Sequence, residues 1–277
     1  MPARAEKALA TERIAIDGVG LEVACFGGPQ GGKADPRIVL LHEGLGSISA
    51  WGRVPAGLAL ATGLSVAAYS RQGYGASDPV SLPRPLDYME REAKEVLPKV
   101  LDAIGFRAGI LLGHSDGASI ATLYLGGIED HRVKGLALLA PHFFVEDVTV
   151  ASISAAGKAY AIGGLRARLA RHHGSNVDCA FHGWRDAWLN PGFRSWDIRQ
   201  SLNYIRVPIL IIQGRDDPYG TTRQIEVAEE ETYCPVEKVL LSDCGHAPHR
   251  DRGSETIAAV KDLVARLETD IGQERRA

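Results

Sequence analysis

The chain has 277 residues, 45% of them hydrophobic and 23% charged, with a formal net charge of −3. That length suits one large α/β domain or two small ones, and the slightly acidic balance supplies no global basic field for nucleic acid or an anionic membrane. Cys25, Cys179, Cys234 and Cys244 lie far apart with neither metal-ligand nor disulfide spacing, the first ten residues hold no apolar signal core, and no run of eighteen apolar residues exists, so the expectation is a cytoplasmic protein without a metal.

In chain order, Arg13–Asp17 and Leu21–Phe26 predict a hairpin, followed by a glycine-rich loop at 27–36. Arg37–Leu41 is a continuous apolar run, as expected of a strand buried on both faces. A helix is expected over Trp51–Ala61, then a second buried strand over Leu64–Tyr69. Pro85–Ile104 carries apolar residues at a 3.6-residue period and predicts a helix bent at Pro98 and stopped at Gly105. Strands are expected at Gly109–Leu112, Val133–Ala140, Val207–Gln213 and Glu237–Leu241, with helices at Ala118–Leu125, Thr221–Glu231 and Ser254–Leu267. Such alternation implies a doubly wound, mostly parallel sheet covered on both sides, with sites at the carboxyl ends of its strands. Residues 141–205 break the pattern: they are helix-like and aromatic (Phe181, Trp184, Trp188, Phe193, Trp196) and read as an insertion.

The chemistry sits in the strand-end loops. Gly113-His114-Ser115-Asp116-Gly117 follows an apolar run and opens a small-residue helix. That is the setting of a serine lifted out of the backbone by a sharp strand-to-helix turn; a helix-capping serine in a plain turn is the bland alternative. A serine hydroxyl needs a base, and the base needs an orienting acid. His246 follows the last expected strand, with His249 as its competitor three residues on. Asp216 and Asp217 end the strand before it. Ser115, an Asp and a His in that order match one hydrolase arrangement. Gly73-Tyr74-Gly75 lacks the third glycine and closing acid of a dinucleotide site, so no cofactor is expected.

Taken together, Leu41-His42-Glu43-Gly44, Ser70–Ser77, Gly113–Gly117, Gly214–Asp217 and Gly245–Pro248 resemble the α/β-hydrolase superfamily over nearly the whole chain. The resemblance implies an eight-stranded sheet with core residues 1–140 and 206–277 and a helical cap at 141–205. It makes Ser115 the nucleophile, His246 the base and Asp217 the acid. Some relatives place the acid after the preceding strand, where Glu146 and Asp147 stand here. It assigns the oxyanion hole to the backbone N–H groups of Gly44 and Asp116. Glu43 departs from the family pattern, taking a place that glycine often holds. His42 reads as a structural imidazole bracing that loop.

A small-molecule acyl substrate, apolar or aromatic, is the expected partner. Glu43, Phe143, Trp184 and Trp188 are the candidate pocket residues, although the tryptophans also suit a core of the cap itself. Arg166, Arg168, Arg171 and Arg185 either meet a substrate carboxylate or form a solvated face. The reading is a serine hydrolase of a carboxylic ester or lactone. Alternatives are a thioester or carbon–carbon bond hydrolase on the same fold, or a non-catalytic ligand-binding protein. Nothing in the sequence reads out an oligomeric state.

Overall fold

The structure is a computed structural model and describes residues 10–27 and 37–274. The N-terminal stretch 1–9 and most of the loop expected at 27–36 lie outside the described residues. Eight strands form one sheet: β1 Ala10–Ile16, β2 Val19–Phe26, β3 Ile38–Leu41, β4 Val66–Ser70, β5 Gly109–His114, β6 Val133–Leu139, β7 Ile209–Gly214 and β8 Val236–Leu241. Their order is β1-β2-β4-β3-β5-β6-β7-β8. The β1–β2 and β2–β4 pairs are antiparallel and the rest parallel. Asp17 (φ 51°) and Gly18 (φ 83°) make the left-handed two-residue turn that joins β1 to β2.

The apolar runs are continuous because both faces of the central strands are covered. Val39, Leu41, Leu111, Leu136, Leu138, Ile209 and Ile211 point into one core. Their neighbours Ile38, Leu40, Ile110, Leu112, Ala137, Leu139, Leu210 and Ile212 point into the other. The second core is closed by helices Val54–Thr62 and Gly253–Glu274, through Val54, Leu58, Val260 and Leu263. The first is closed by the helices at Asp116–Gly127 and Arg223–Glu231 and by the segment after Tyr88. That segment differs from the expected bent helix. It starts at Tyr88, takes a π-helical turn over Glu92–Val96, then resumes as Leu97–Ala103. Pro98 has no N–H, and its ring would strike the carbonyl four residues back in an unbroken α-helix, so the chain widens by one turn instead.

Between β6 and β7 the chain forms helices Asp147–Ala161, Gly164–His173, Val177–Trp188 and Arg199–Leu202. Phe144 and Asp197 make an isolated antiparallel bridge at the base of this segment.

The turn from β5 into helix Asp116–Gly127 is forced by close backbone contact. A β-carbon on Gly117 would lie 2.0 Å from the Leu41 carbonyl oxygen, and one on Gly113 would lie 2.3 Å from the Gly117 oxygen. Ser115 sits between them at φ 52°, ψ −117°, a backbone conformation costing about 1–3 kcal/mol in a residue other than glycine. Hydrogen bonds hold it there. Its N–H donates to Leu139 O (2.9 Å), and its carbonyl accepts from the N–H groups of Ala118 (2.8 Å) and Ser119 (3.0 Å). Gly117→Ala should therefore destabilise the protein by about 3 kcal/mol or more, because the clash is with backbone that cannot rotate away. Gly164→Ala, where an added β-carbon meets nothing within 4 Å, should cost nothing measurable. Urea unfolding of the two variants beside the parent checks the contrast.

Candidate active site

Three strand-end loops deliver Ser115, Asp217 and His246 to one place. Backbone hydrogen bonds lace these loops together: Ala140 N–H to Ile212 O (2.9 Å), Arg215 N–H to Leu241 O (2.8 Å) and Asp216 N–H to Cys244 O (3.0 Å). The Ser115 Oγ lies 2.9 Å from His246 Nε2. His246 Nδ1 lies 2.9 Å from each carboxylate oxygen of Asp217. With its proton on Nδ1, the imidazole donates to Asp217 and accepts from the Ser115 hydroxyl. Asp217 has a side chain only 2% exposed, and its Oδ1 accepts the N–H groups of Tyr219 (2.8 Å) and Gly220 (3.3 Å). Burial works to raise its pKa. The His246 hydrogen bond and charge and the Tyr219 N–H outweigh burial and hold it below the ordinary aspartate value.

The competing residues are occupied elsewhere. Glu146 accepts from Thr221 and Gln224, while Asp147 is exposed and pairs with Arg194. Asp216 contributes its backbone N–H to Cys244. His249 is buried against Trp51 (ring centroids 4.8 Å apart) and His114 (4.7 Å) rather than beside Ser115.

The imidazoles around His246 are held neutral or tied to a carboxylate. His114 Nε2 donates to the His246 carbonyl at 2.7 Å, and its Nδ1 lies 3.3 Å from Glu43 Oε2. Burial would raise the Glu43 pKa, yet its pairing with His114 holds it well below the ordinary range. His42 accepts the Arg71 N–H at Nε2 (3.0 Å) and therefore donates from Nδ1 to Glu43 O (2.7 Å). The buried Arg71 guanidinium donates to the carbonyls of His42 and Glu43. This brace shapes the loop that presents Gly44. Among the described residues, no acceptor partners the N–H of Gly44 or of Asp116. Asp116 N–H belongs to the first turn of a helix, where donors are left free and point outward.

A chamber of about 240 Å³ opens over Ser115. Glu43, Gly44, Asp116, Trp184 and Trp188 line it, together with Ile153, Leu165, Leu169, His142 and Tyr219. Phe143 does not. It is fully buried in the first core, its backbone clamped by an N–H donated to Gln224 and a carbonyl that accepts from Ile198. Trp188 serves both roles weighed for it. It walls the chamber and also packs edge-to-face against Phe193 and Trp196. Its Nε1 donates to Tyr88 Oη (3.1 Å) and Asp116 Oδ1 (3.3 Å), and Tyr88 donates to Asp116 Oδ2 (2.5 Å). Burial raises the Asp116 pKa against the opposing charge of Arg71.

The pattern of the family model described as "Alpha/beta hydrolase family" matches residues 38–260. The chain belongs to the α/β-hydrolase family. A comparison with curated proteins finds no match. Among solved structures, the chain is similar to an esterase from Rhodococcus sp. ECU1013, with 21% identity, 93% of this chain and 99% of that one covered, and a TM-score of 0.71. It is also similar to the enol-lactonase from Burkholderia xenovorans LB400 (19% identity, 92% and 100% covered, TM-score 0.68). A third similar structure is the 2-hydroxy-6-oxo-6-phenylhexa-2,4-dienoate hydrolase from Rhodococcus sp. strain RHA1 (16% identity, 91% and 97% covered, TM-score 0.72). At these identities the likeness is one of fold.

Several residues at this family member's site escaped the sequence reading. His142 stands 5.4 Å (ring centroids) from His246 and 5.3 Å from Trp188, and Tyr219 lies 4.8 Å from His246. His142 had one available signal, its place directly after β6 at a strand end. The apolar chamber residues Ile153, Leu165 and Leu169 had none beyond helical periodicity.

Burial, reinforced by the charge of His246, pushes His142 down to about 3, and burial with the charge of His114 does the same for His249. An unfolded imidazole titrates near about 6.5. Between these values the unfolded chain binds protons that the folded chain refuses. Stability is therefore full above about pH 6.5 and falls as pH drops toward 3, with a limiting slope of about 1.4 kcal/mol per pH unit for each ring. Urea midpoints measured from pH 7 to pH 4 should decline accordingly. His249→Phe keeps a ring in place and removes one titration, so its decline should be shallower; an identical slope contradicts this assignment.

Proposed function

We propose that the chain is a serine hydrolase that cleaves a carboxylic ester or lactone through an acyl-enzyme. The observation that carries the reading is the unbroken chain from Ser115 Oγ through His246 to Asp217, with both links at 2.9 Å. Ser115 Oγ attacks the acyl carbon as its proton passes to His246 Nε2, and the Asp217 carboxylate stabilises the imidazolium. The N–H groups of Gly44 and Asp116, both without an acceptor among the described residues, receive the oxyanion. Collapse breaks the bond to the leaving oxygen, which takes the proton from His246. Water then adds to the acyl-enzyme with His246 again as base, releasing the acid and restoring Ser115.

Residues 141–205 act as a cap over a core of residues 1–140 and 206–277. The cap contributes Ile153, Leu165, Leu169, Trp184 and Trp188 to the chamber wall, which favours an apolar or aromatic acyl group. The esterase and enol-lactonase among the similar structures support ester or lactone cleavage as the reaction.

Steady-state hydrolysis of aryl esters of rising acyl length, and of lactones, tests the reading. The parent should turn over short apolar esters or lactones. Ser115→Ala should lose at least about 10⁴-fold in kcat, and Asp217→Asn about 10³–10⁴-fold, with folding intact by circular dichroism. A Ser115→Ala protein with near-parental activity overturns the mechanism.

A further inference from the structure

The chamber over Ser115 does not end at its own wall. Beside it lies a groove of about 850 Å³. Ala50, His172 and Arg250 line both spaces and form the neck between them. The groove floor is apolar: Trp51, Ala56, Ile257 and Leu60, the last 78% exposed. Its polar groups are a different matter. Arg53 and Arg250 line it, and no aspartate or glutamate does.

Many arginines elsewhere are neutralised. Of the four considered for substrate binding, Arg166 pairs with Asp178 and Arg185 with Asp186, so both are neutralised; Arg168 and Arg171 have no carboxylate partner among the described residues but line neither the groove nor the chamber. Arg194, Arg199, Arg223, Arg252 and Arg266 also have carboxylate partners. Among the described residues, Arg53 and Arg250 make neither an ion pair nor a side-chain hydrogen bond. At the neck, His172 Nδ1 lies 2.9 Å from Ser49 Oγ. Burial, then the charges of Arg250 and Arg171, lowers its pKa against the pull of Glu43. The chamber's own carboxylates are engaged, Glu43 beside His114 and Asp116 with Tyr88 and Trp188. In a chain of net charge −3, this groove is a local cationic field over an apolar floor.

We propose that this groove holds the leaving group of the substrate, and that the leaving group carries a phosphate or carboxylate bound by Arg53 and Arg250. The assignment rests on the serine-hydrolase reading above. Its direction follows from the chemistry of the base. His246 Nε2 returns its proton to the leaving oxygen, so that oxygen departs on the His246 side. Arg250 stands four residues after His246, and both line the chamber, with Arg250 also lining the groove beyond the neck. The acyl group stays in the apolar chamber against Ile153, Leu165 and Leu169. As the acyl carbon–oxygen bond breaks, the protonated leaving group moves out through the neck, its anion held by the two guanidinium groups and its apolar part over Leu60 and Ile257.

The test uses three butanoate esters of para-substituted phenols, differing only in the substituent: carboxamide, carboxylate or phosphate monoester. The parent should prefer the two anionic esters by about tenfold or more in kcat/KM, and the preference should shrink between 20 mM and 500 mM salt. Arg250→Gln and Arg53→Gln should each cut that anionic-to-neutral ratio by about five- to tenfold, mainly through KM. A preference for one anion over the other separates phosphate from carboxylate recognition. Turnover of all three esters with no anion preference, or a preference untouched by both substitutions, overturns the leaving-group assignment alone. Turnover of none overturns the serine-hydrolase reading and this assignment with it.

Discussion

The Leu41 carbonyl oxygen lies 2.0 Å from where a β-carbon on Gly117 would be, and the site's geometry depends on that contact. It lets helix Asp116–Gly127 start directly against the end of β3, so the chain must reverse at Ser115. The reversal puts Ser115 at a positive φ and leaves Asp116 in the first turn of the helix. The cost of the strained residue is met by three backbone hydrogen bonds. Further backbone bonds between the ends of β6, β7 and β8 carry the same order outward to Asp217 and His246. The relay is thus fixed by main chain, with little left to side-chain chance.

Charge is managed by a second layer. The site buries an unusual number of imidazoles close together: His42, His114, His142 and His249. Their protonation would set like charges around His246. Burial keeps His42, His142 and His249 neutral, and His114 faces the Glu43 carboxylate. Arg71, buried under the Gly44 loop, spends its donors on the His42 and Glu43 carbonyls. Glu43 departs from the common glycine at its position, and its partner His114 donates to the His246 carbonyl, so that departure is tied to the loop that carries His246.

Much of this was legible in the sequence because it depends on backbone requirements. Strands buried on two faces write themselves as unbroken apolar runs, and a reversal that admits no β-carbon writes itself as Gly-x-Ser-x-Gly. The match over residues 38–260 and the eight-stranded sheet agree with that reading. What stayed open depended on side-chain direction. Asp216 and Asp217 are indistinguishable as letters; only the fold shows that the second meets His246 while Glu146 and Asp147 turn away to Thr221 and Arg194. Phe143 and Trp184 are both aromatic residues of the segment after β6, yet one is clamped into the core and the other reaches the Gly44 loop. The arginines divide by whether a carboxylate happens to lie within reach, which no local pattern encodes.

The central claim is that Ser115 is a nucleophile activated by His246 and Asp217. The most direct measurement is mass spectrometry of the protein after brief treatment with a fluorophosphonate at neutral pH. One phosphonyl adduct on the peptide containing Ser115, formed rapidly in the parent and much more slowly in His246→Ala, is the predicted result. An unmodified Ser115 peptide, or the same rate of modification without the imidazole, contradicts the account.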